Sequence, residues 1–281
     1  MKLNLIGRPV VPADRLDANI AYCRSLGLPT VQDRTGTRSG ILHIVGGGPS
    51  ARRYTDHYRG ITDYREPYKT RYASMQPVRG DVWAINGTCS WLRSEGIVAV
   101  FFTCDALPEV AEFAKGARWA VVASQCDPAV FDTLLEGGAD ITTFDCAHGK
   151  IIGAGSTTAT ATPMTGFTLG FKQVVFYGCE SSYPRGETHA YRHEPRPEEI
   201  VVSLGGESFL TAPDFLKQAE ELSTLFHMEQ EHNPGHGAKV FSELSGGLLR
   251  QMIEYGHDYE LEWVSQAVAD NIAATPQEEA A

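Results

Sequence analysis

Residues 41–50 read ILHIVGGGPS: a short apolar run is followed at once by three glycines, a proline and a serine. The run is rich in branched residues, as in a strand that is buried on both faces. Glycines after a strand let the backbone turn sharply, and a proline with a hydroxyl residue suits the first turn of a helix, whose free N–H groups attract phosphate. We therefore expect a nucleotide phosphate at Gly46, Gly47, Gly48, Pro49 and Ser50; a tight turn without a ligand is the alternative.

Five further runs of the same kind follow, at 82–85, 98–103, 119–123, 141–144 and 174–177. Segments with helical spacing lie between most of them, and two of these, 108–115 and 128–136, open on a proline, as the first turn of a helix allows. Strands that alternate with helices predict a parallel sheet covered on both faces. The predicted class is α/β, with a Rossmann-like parallel sheet and helices on both faces.

The flanks of this core have other patterns. We predict an N-terminal cap over 1–39, with one helix near 14–26, and a nucleotide-binding core over 40–205. Residues 206–281 are predicted to form a C-terminal helical extension. Its first helix carries an apolar stripe near 213–226, and two more helices are expected near 242–255 and 260–273.

The composition of the chain limits the classes of binding partner that we expect. The 281-residue chain has a formal net charge of −11, and nucleic acid or an anionic membrane would need a clustered basic surface, so we expect neither as a partner. Its six cysteines are scattered, and no apolar run suits a signal peptide or a membrane span. We expect a cytoplasmic protein that binds a nucleotide and a small-molecule acceptor; homo-oligomer formation stays open.

Polar residues follow two of the predicted strands at the point where each strand ends. Asn86, Gly87 and Thr88 come after one strand, and Asp105 comes after the next. Ligands of open parallel sheets bind outside the carboxyl ends of the strands, so these groups are expected to face one crevice. Asn86 and Thr88 could bond a base or a ribose, and Asp105 could hold Mg²⁺ or cap the helix at Pro108.

Two later segments add candidates. Ser156 and Thr157 precede a predicted helix, where hydroxyls either face a ligand or cap the helix. The last core strand is followed by the titratable or hydroxyl-bearing side chains of Glu180, Tyr183, His189 and Tyr191, a density that suggests an acid, a base or a metal ligand.

Three further patterns have an open interpretation. His189 and His193 have the spacing of a zinc pair on a helix, although neighbouring glycine and proline disfavour a regular helix there. His232 and His236 share that spacing but enclose proline and glycine, which predicts a loop. The basic, tyrosine-rich segment 51–80 is either a solvated connection or a flap that supplies cations to a phosphate.

In their order, these motifs resemble the MptE-like family, typified by the archaeal 6-hydroxymethylpterin diphosphokinase. The resemblance runs from about residue 41 to about 225, through GGGPS at 46–50, AING at 84–87, Asp105, LGFK at 169–172 and YGCESSY at 177–183. It implies a Rossmann-like enzyme that takes ATP as donor with Mg²⁺ and transfers a diphosphoryl group to a small hydroxyl acceptor. Asp105 and Glu180 would then hold the metal, although many relatives have Asp at the position of Glu180.

The same stretch is similar to bacterial sialyltransferases that use CMP-sialic acid. These enzymes share a G-P-S turn and a strand-end carboxylate followed by two tyrosines, which match Glu180, Tyr183 and Tyr191. That resemblance implies that the tyrosines contact the leaving phosphate and that a histidine, here His189, acts as the base. They usually carry Asn where this chain has Gly47. A third hypothesis is a nucleotide-binding protein without turnover, because no lysine stands at the glycine turn.

Overall fold

The computed structural model describes residues 11–59, 81–145, 156–183, 189–191, 200–232, 240–241 and 247–263. Most of the predicted flap and the histidines His193 and His236 lie outside these residues, so neither the flap nor the two histidine pairs can be assigned. In the part of the chain that is described, no helix is long and apolar enough to cross a bilayer. The cytoplasmic location stays a prediction.

Strands and helices alternate through the first two thirds of the chain. The strands are β1 (Ile41–Val45), β2 (Asp81–Ile85), β3 (Val100–Thr103), β4 (Trp119–Ala123), β5 (Asp140–Phe144), β6 (Gln173–Tyr177), β7 (Ile200–Leu204), β8 (Glu207–Thr211), β9 (Val240–Phe241) and β10 (Glu260–Trp263). The helices are α1 (Ala13–Ser25), α2 (Ala51–Tyr58), α3 (Thr88–Ser94), α4 (Ala111–Ala114), α5 (Pro128–Glu136), α6 (Thr158–Leu169), α7 (Pro213–His232) and α8 (Gly247–Tyr255), with a 3₁₀ turn at Pro108–Val110 before α4. All six strands predicted from apolar runs are present.

The central sheet is parallel throughout, with the strand order β5-β4-β3-β2-β1-β6-β9. The chain moves from β1 outward to β5, and then returns to the other side of β1 as β6. Since crossovers between parallel strands are right-handed, α2 to α5 lie on one face and α6 on the other. The predicted Rossmann-like α/β class is confirmed, and its topological switch point lies at the carboxyl ends of β1 and β6.

The strands are buried because helices cover both faces of the sheet. Trp83 on β2 stacks on Phe102 on β3, with ring centroids 5.1 Å apart, and Phe102 stacks in turn on Phe144 on β5 at 5.2 Å. In β1 the one polar side chain, His43, is also buried, and its ring packs against the rings of Tyr54 and Tyr177, which contact each other. The core therefore fixes the register of the strands whose ends form the crevice.

The flanks partly match their predictions. Helix α1 is present and is held to the segment before α5 by the hydrogen bond from Asn19 Nδ2 to Gln125 O, at 2.9 Å. Helices α7 and α8 are present, but the helix predicted from residue 260 is wrong at Glu260–Trp263, which forms β10 and pairs with β7 in a small antiparallel sheet, β10-β7-β8. One hydrophobic cluster includes residues from all three predicted segments, and the domain boundaries stay predictions.

Candidate functional site

The turn after β1 and the turn after β6 are joined by backbone hydrogen bonds. Gly46 N–H donates to Tyr177 O at 2.7 Å, and Gly48 N–H donates to Gly178 O at 2.9 Å. In the other direction, Gly178 N–H donates to Ser50 Oγ at 2.9 Å. The two turns therefore form one rigid corner at the switch point of the sheet.

A buried carboxylate completes this corner. Glu180 has 2% of its surface exposed, and its Oε1 accepts a hydrogen bond from Ser50 N–H, just before α2. Its second oxygen, Oε2, has no hydrogen-bond partner among the described residues. Burial raises the pKa of Glu180, while the hydrogen bonds from Ser50 and the positive charge of Arg53 act in the opposite direction.

Close contacts with the protein account for the glycines at 47 and 48. A Cβ on Gly47 would lie 2.6 Å from the ring of His189, and a Cβ on Gly48 would collide with the carboxylate of Glu180. The phosphate seat predicted at residues 46–50 stays a prediction. The backbone N–H groups of Gly46, Gly48 and Ser50 donate to acceptors within the protein, and Pro49 has no N–H.

The segment 189–191 lies directly against the glycine turn. Ala190 N–H donates to Gly47 O at 2.8 Å, and Ala190 O accepts from Arg52 Nε at 3.2 Å. These two bonds place His189 on one side of Ala190 and Tyr191 on the other, with their ring centroids 5.3 Å apart. An imidazole and a phenol are thus held together at the carboxyl end of β1.

Tyr191 also reaches the end of β2. Its hydroxyl is 3.5 Å from Thr88 Oγ1, and a Cβ on Gly87 would lie 3.1 Å from the same hydroxyl. The ring of Trp91 on α3 packs 6.0 Å from the ring of Tyr191. Burial raises the pKa of Tyr191, so the phenol keeps its proton at neutral pH and can donate a hydrogen bond.

Asn86 adds a polar atom next to this group. It adopts a left-handed backbone conformation, with φ at 47°, which asparagine tolerates better than most side chains. Its Oδ1 is buried and lacks a hydrogen-bond partner within the described part of the chain. A ligand that offers an N–H or O–H could satisfy this atom.

Asp105 lies elsewhere along the sheet edge. It follows β3, whereas Glu180 follows β6, and β2 and β1 lie between these two strands in the sheet. Metal binding by Asp105 and Glu180 stays a prediction. Asp105 Oδ1 accepts from Leu107 N–H at 3.1 Å, a local bond ahead of the 3₁₀ turn, whose first residues receive no side-chain cap.

The described residues include no group of three or more His, Cys, Asp or Glu side chains that could hold a metal ion. The predicted roles of Asp105, Glu180 and His189 in catalysis, and of Mg²⁺ and ATP, are not tested by the structure. What the structure does place together is the set Gly47, Gly87, Thr88, His189 and Tyr191.

Three other predicted residues serve the fold. Thr157 caps α6 through a reciprocal pair of hydrogen bonds with Thr160, and Ser156 N–H donates to Glu221 on α7 at 2.6 Å. Tyr183 is buried in a separate hydrophobic cluster, where its ring packs 5.7 Å from that of Phe215. The structure therefore does not bring these three side chains to the glycine turn.

Two contributors were missed by sequence reasoning. Trp91 packs on Tyr191, and its signal was its position three residues after Thr88, the spacing of one helix face. Arg52 donates to the backbone oxygen of Ala190, and nothing in the sequence of the basic segment 51–80 distinguishes it from the neighbouring arginines. A separate cavity of about 330 Å³ lies at the amino ends of the central strands, and Trp83 and Trp119 are among the residues that line it.

Comparisons with known proteins support the fold. The sequence matches no protein-family model and no curated protein. Among solved structures, the chain is similar to the MAf glycosyltransferase from Magnetospirillum magneticum AMB-1, with a TM-score of 0.50 and 14% identity over 82% of this chain. The chain spans 36% of the length of that protein. At this identity the likeness concerns the fold, and the resemblance to the MptE-like family stays a hypothesis.

Proposed function

We propose that this chain is a glycosyltransferase that moves a sugar from a nucleotide sugar, of the CMP-sugar type, to a hydroxyl acceptor. The observation that carries the proposal is the position of His189 and Tyr191 against the turn after β1. Open parallel sheets bind their ligands at such a switch point, outside the carboxyl ends of the strands. The similar fold of a glycosyltransferase supports the same reaction class.

The side chains at the corner suit a nucleotide. Asn86 Oδ1, buried without a partner in the described structure, can accept from a base or ribose, and the protonated phenol of Tyr191 can donate to a phosphate oxygen. Tyr191 and Thr88 lie close enough to contact one ligand. These groups bind and orient the donor.

The proposed step needs one base. The acceptor oxygen forms a bond to the anomeric carbon of the sugar, while the bond from that carbon to the phosphate oxygen breaks and its electron pair leaves with the phosphate. The proton of the acceptor hydroxyl passes to a ring nitrogen of His189. Tyr191 stabilises the charge that develops on the leaving phosphate by donating its phenolic hydrogen.

A nucleotide-release assay with CMP-, UDP- and GDP-sugars tests the proposal. We expect His189→Ala to lower kcat by at least about 100-fold, because removal of a general base costs this much, and to leave the Kd for the nucleotide within a few-fold. His227→Ala is the matched control, because His227 is an exposed histidine on α7. Equal turnover of His189→Ala and wild type would contradict the assignment of the base.

The other two hypotheses are outcomes of the same experiment. A thermal-shift comparison of CMP, CTP, GTP and ATP, each with and without Mg²⁺, identifies the nucleotide, because a ligand of the folded state raises the Tm. Release of AMP from Mg-ATP would favour diphosphoryl transfer. Binding of a nucleotide without turnover of any donor would favour the non-catalytic protein.

A further inference from the structure

We propose that the cavity at the amino ends of β2 to β5 binds a small zwitterion, namely an α-amino acid with an aromatic side chain. The cavity has a volume of about 330 Å³ and lies at the end of the sheet opposite the candidate functional site. Ligand cavities run from about 300 to 1,000 Å³, so this one suits a molecule with a single ring. The proposed ligand is independent of the nucleotide and of glycosyl transfer.

The floor of the cavity is apolar and fixed in shape. Trp83, Leu169 and Phe171 line it, and each of them is at most 5% exposed. The ring of Trp83 meets that of Phe171 edge-on, with the centroids 6.0 Å apart, and it also stacks on the ring of Phe102. Because the core holds these rings, the apolar surface exists before a ligand binds. An aromatic ring that packs on this floor would leave water.

Two large apolar side chains are exposed where they line the same cavity. Val98 is 63% exposed and Trp119 is 42% exposed. Exposed apolar side chains are ordinary when they are scattered singly, but here both belong to one concave surface. The indole of Trp119 is placed to pack against the ring of a ligand.

The polar wall of the cavity carries two ion pairs that differ in geometry. Arg34 Nη2 donates to Asp140 Oδ1 at 2.9 Å, so these two groups bond each other. Arg38 Nη1 lies 3.6 Å from Asp81 Oδ2, which is beyond hydrogen-bond range. The side chains of Arg38 and Asp81 are partly exposed, and such a pair contributes little to stability. A ligand can therefore engage both groups at little cost: its carboxylate would bind Arg38, and its ammonium would bind Asp81.

This wall is anchored to the end of α6. Arg38 N–H donates to Leu169 O at 2.8 Å, and Gly36 N–H donates to Thr168 O at 3.2 Å. Gly170, with φ at 111°, follows α6, and a Cβ there would collide with Arg38 O. The backbone that carries the Arg38 guanidinium is therefore fixed beside the apolar floor. A molecule that joins a carboxylate, an ammonium and a ring at short range matches the wall and the floor together.

Calorimetric titration of the full chain with L-phenylalanine tests the site. Three analogues each lack one group: 3-phenylpropionate has no ammonium, 2-phenylethylamine has no carboxylate, and L-alanine has no ring. We expect each analogue to bind at least about three-fold more weakly than L-phenylalanine, a factor within the range of one partly exposed ion pair. An analogue that binds as tightly as L-phenylalanine would overturn the proposed ligand class.

Two substitutions assign the two charges separately. Arg38→Gln should weaken the binding of L-phenylalanine and 3-phenylpropionate at least about three-fold and should not weaken that of 2-phenylethylamine. Asp81→Asn should weaken the binding of L-phenylalanine and 2-phenylethylamine and should not weaken that of 3-phenylpropionate. Unchanged binding of L-phenylalanine in both variants would mean that the molecule binds adventitiously, and would overturn the proposal.

Arg24→Gln is the matched control for Arg38→Gln. Arg24 is an exposed arginine in another long ion pair, 3.5 Å from Asp145 Oδ2, and it does not line the cavity. Its loss should leave the binding of L-phenylalanine unchanged. An equal loss of affinity in Arg24→Gln and Arg38→Gln would attribute the effect to net charge and contradict the site.

Trp119→Ala tests the position of the ligand ring. We expect this substitution to weaken the binding of L-phenylalanine at least about three-fold, whereas Trp263→Ala should not, because Trp263 is 56% exposed on β10 and lies outside the cavity. In the ¹⁵N-labelled wild type, L-phenylalanine should shift the indole N–H resonance of Trp119 and not that of Trp263. This second measurement decides the outcome if Trp119→Ala does not fold, and an unmoved Trp119 resonance would overturn the proposal.

A second copy of the chain is the competing occupant of this surface. Sedimentation velocity of wild type and Trp119→Ala separates the two cases, and we expect the same oligomeric state for both. A dimer of the wild type that Trp119→Ala dissociates would assign the cavity to a contact between copies and would overturn the proposed amino-acid site.

Discussion

Helices α2 and α6 begin in similar chemical settings at different depths. Before α2, Ser50 N–H donates to Glu180, and before α6, Ser156 N–H donates to Glu221. Glu180 is 2% exposed, whereas the side chain of Glu221 is 24% exposed and lies 3.8 Å from the ammonium of Lys217. At α2 the N–H therefore donates to a buried carboxylate, whose charged form is disfavoured. At α6 the N–H donates to a partly exposed carboxylate.

The difference teaches how burial changes the consequence of the same helix-start hydrogen bond. Both starts carry glycine and hydroxyl residues in the sequence, which predicts a ligand at α2 and leaves open a ligand or a helix cap at α6. At α6 the hydroxyls of Thr157 and Thr160 and the carboxylate of Glu221 satisfy the helix at the protein surface. At α2 the carboxylate is buried and one of its oxygens has no hydrogen-bond partner among the described residues, so its protonation is coupled to folding.

The largest loss of stability is expected from Gly48→Ala. The added Cβ would collide with the Glu180 carboxylate and lie 2.9 Å from Gly178 O, so it would push the two turns apart. We expect a loss in the free energy of unfolding of about 2–3 kcal/mol, measured by urea titration. Gly137→Ala is the control, since its Cβ would lie 3.3 Å from Thr133 O at an ordinary φ of −74°. Equal stability of the two variants would contradict the close packing at Gly48.

The next effect is a pH dependence that Glu180→Gln should remove. Since the folded protein raises the pKa of Glu180 above its ordinary value of 4.5, the folded state binds the proton more tightly than the unfolded state. The stability from this group is fully present below pH 4.5 and is lost as pH rises through the folded pKa. Wild type should therefore lose stability relative to Glu180→Gln between pH 4.5 and that raised value, in urea titrations at several pH values. Parallel curves for the two proteins would argue against a buried carboxyl.

The smallest changes in the free energy of unfolding are expected from substitutions at the start of α6. Thr157→Ala removes a helix cap, and we expect it to lower the free energy of unfolding by about 1 kcal/mol. Glu221→Gln, on the same helix start but partly exposed, should change it by less than about 0.5 kcal/mol. A larger loss for Glu221→Gln than for Thr157→Ala would reverse the comparison, and thermal unfolding of both variants measures it.

The strands were predictable because their signal is local. A run such as Ile41–Val45 is apolar at nearly every position, and only a strand with both faces covered needs that pattern. The helix predicted from residue 260 failed because Leu261 and Trp263 are two residues apart, which is also the spacing of a strand, and pairing with β7 decided the outcome.

The candidate site was predictable in its residues and not in its contacts. The strand ends identified Gly47, Thr88, His189 and Tyr191, which the structure brings together. That Glu180 would fill the helix start depends on β6 lying next to β1, and strand order is a non-local property. The number of strands between Asp105 and Glu180 depends on that order as well, so the motifs alone could not place the two carboxylates relative to each other.

The packing of Trp91 on Tyr191 has a practical consequence. The indole of Trp91 is partly buried and lies near the carboxyl ends of the strands. Trp119 is 42% exposed and lines the cavity at the amino ends of the strands. The protein thus carries a natural optical probe at each end of the sheet. If the proposed nucleotide site is correct, emission from Trp91 should change when nucleotide is added, and external quenchers should reach Trp119 whether or not the nucleotide is bound.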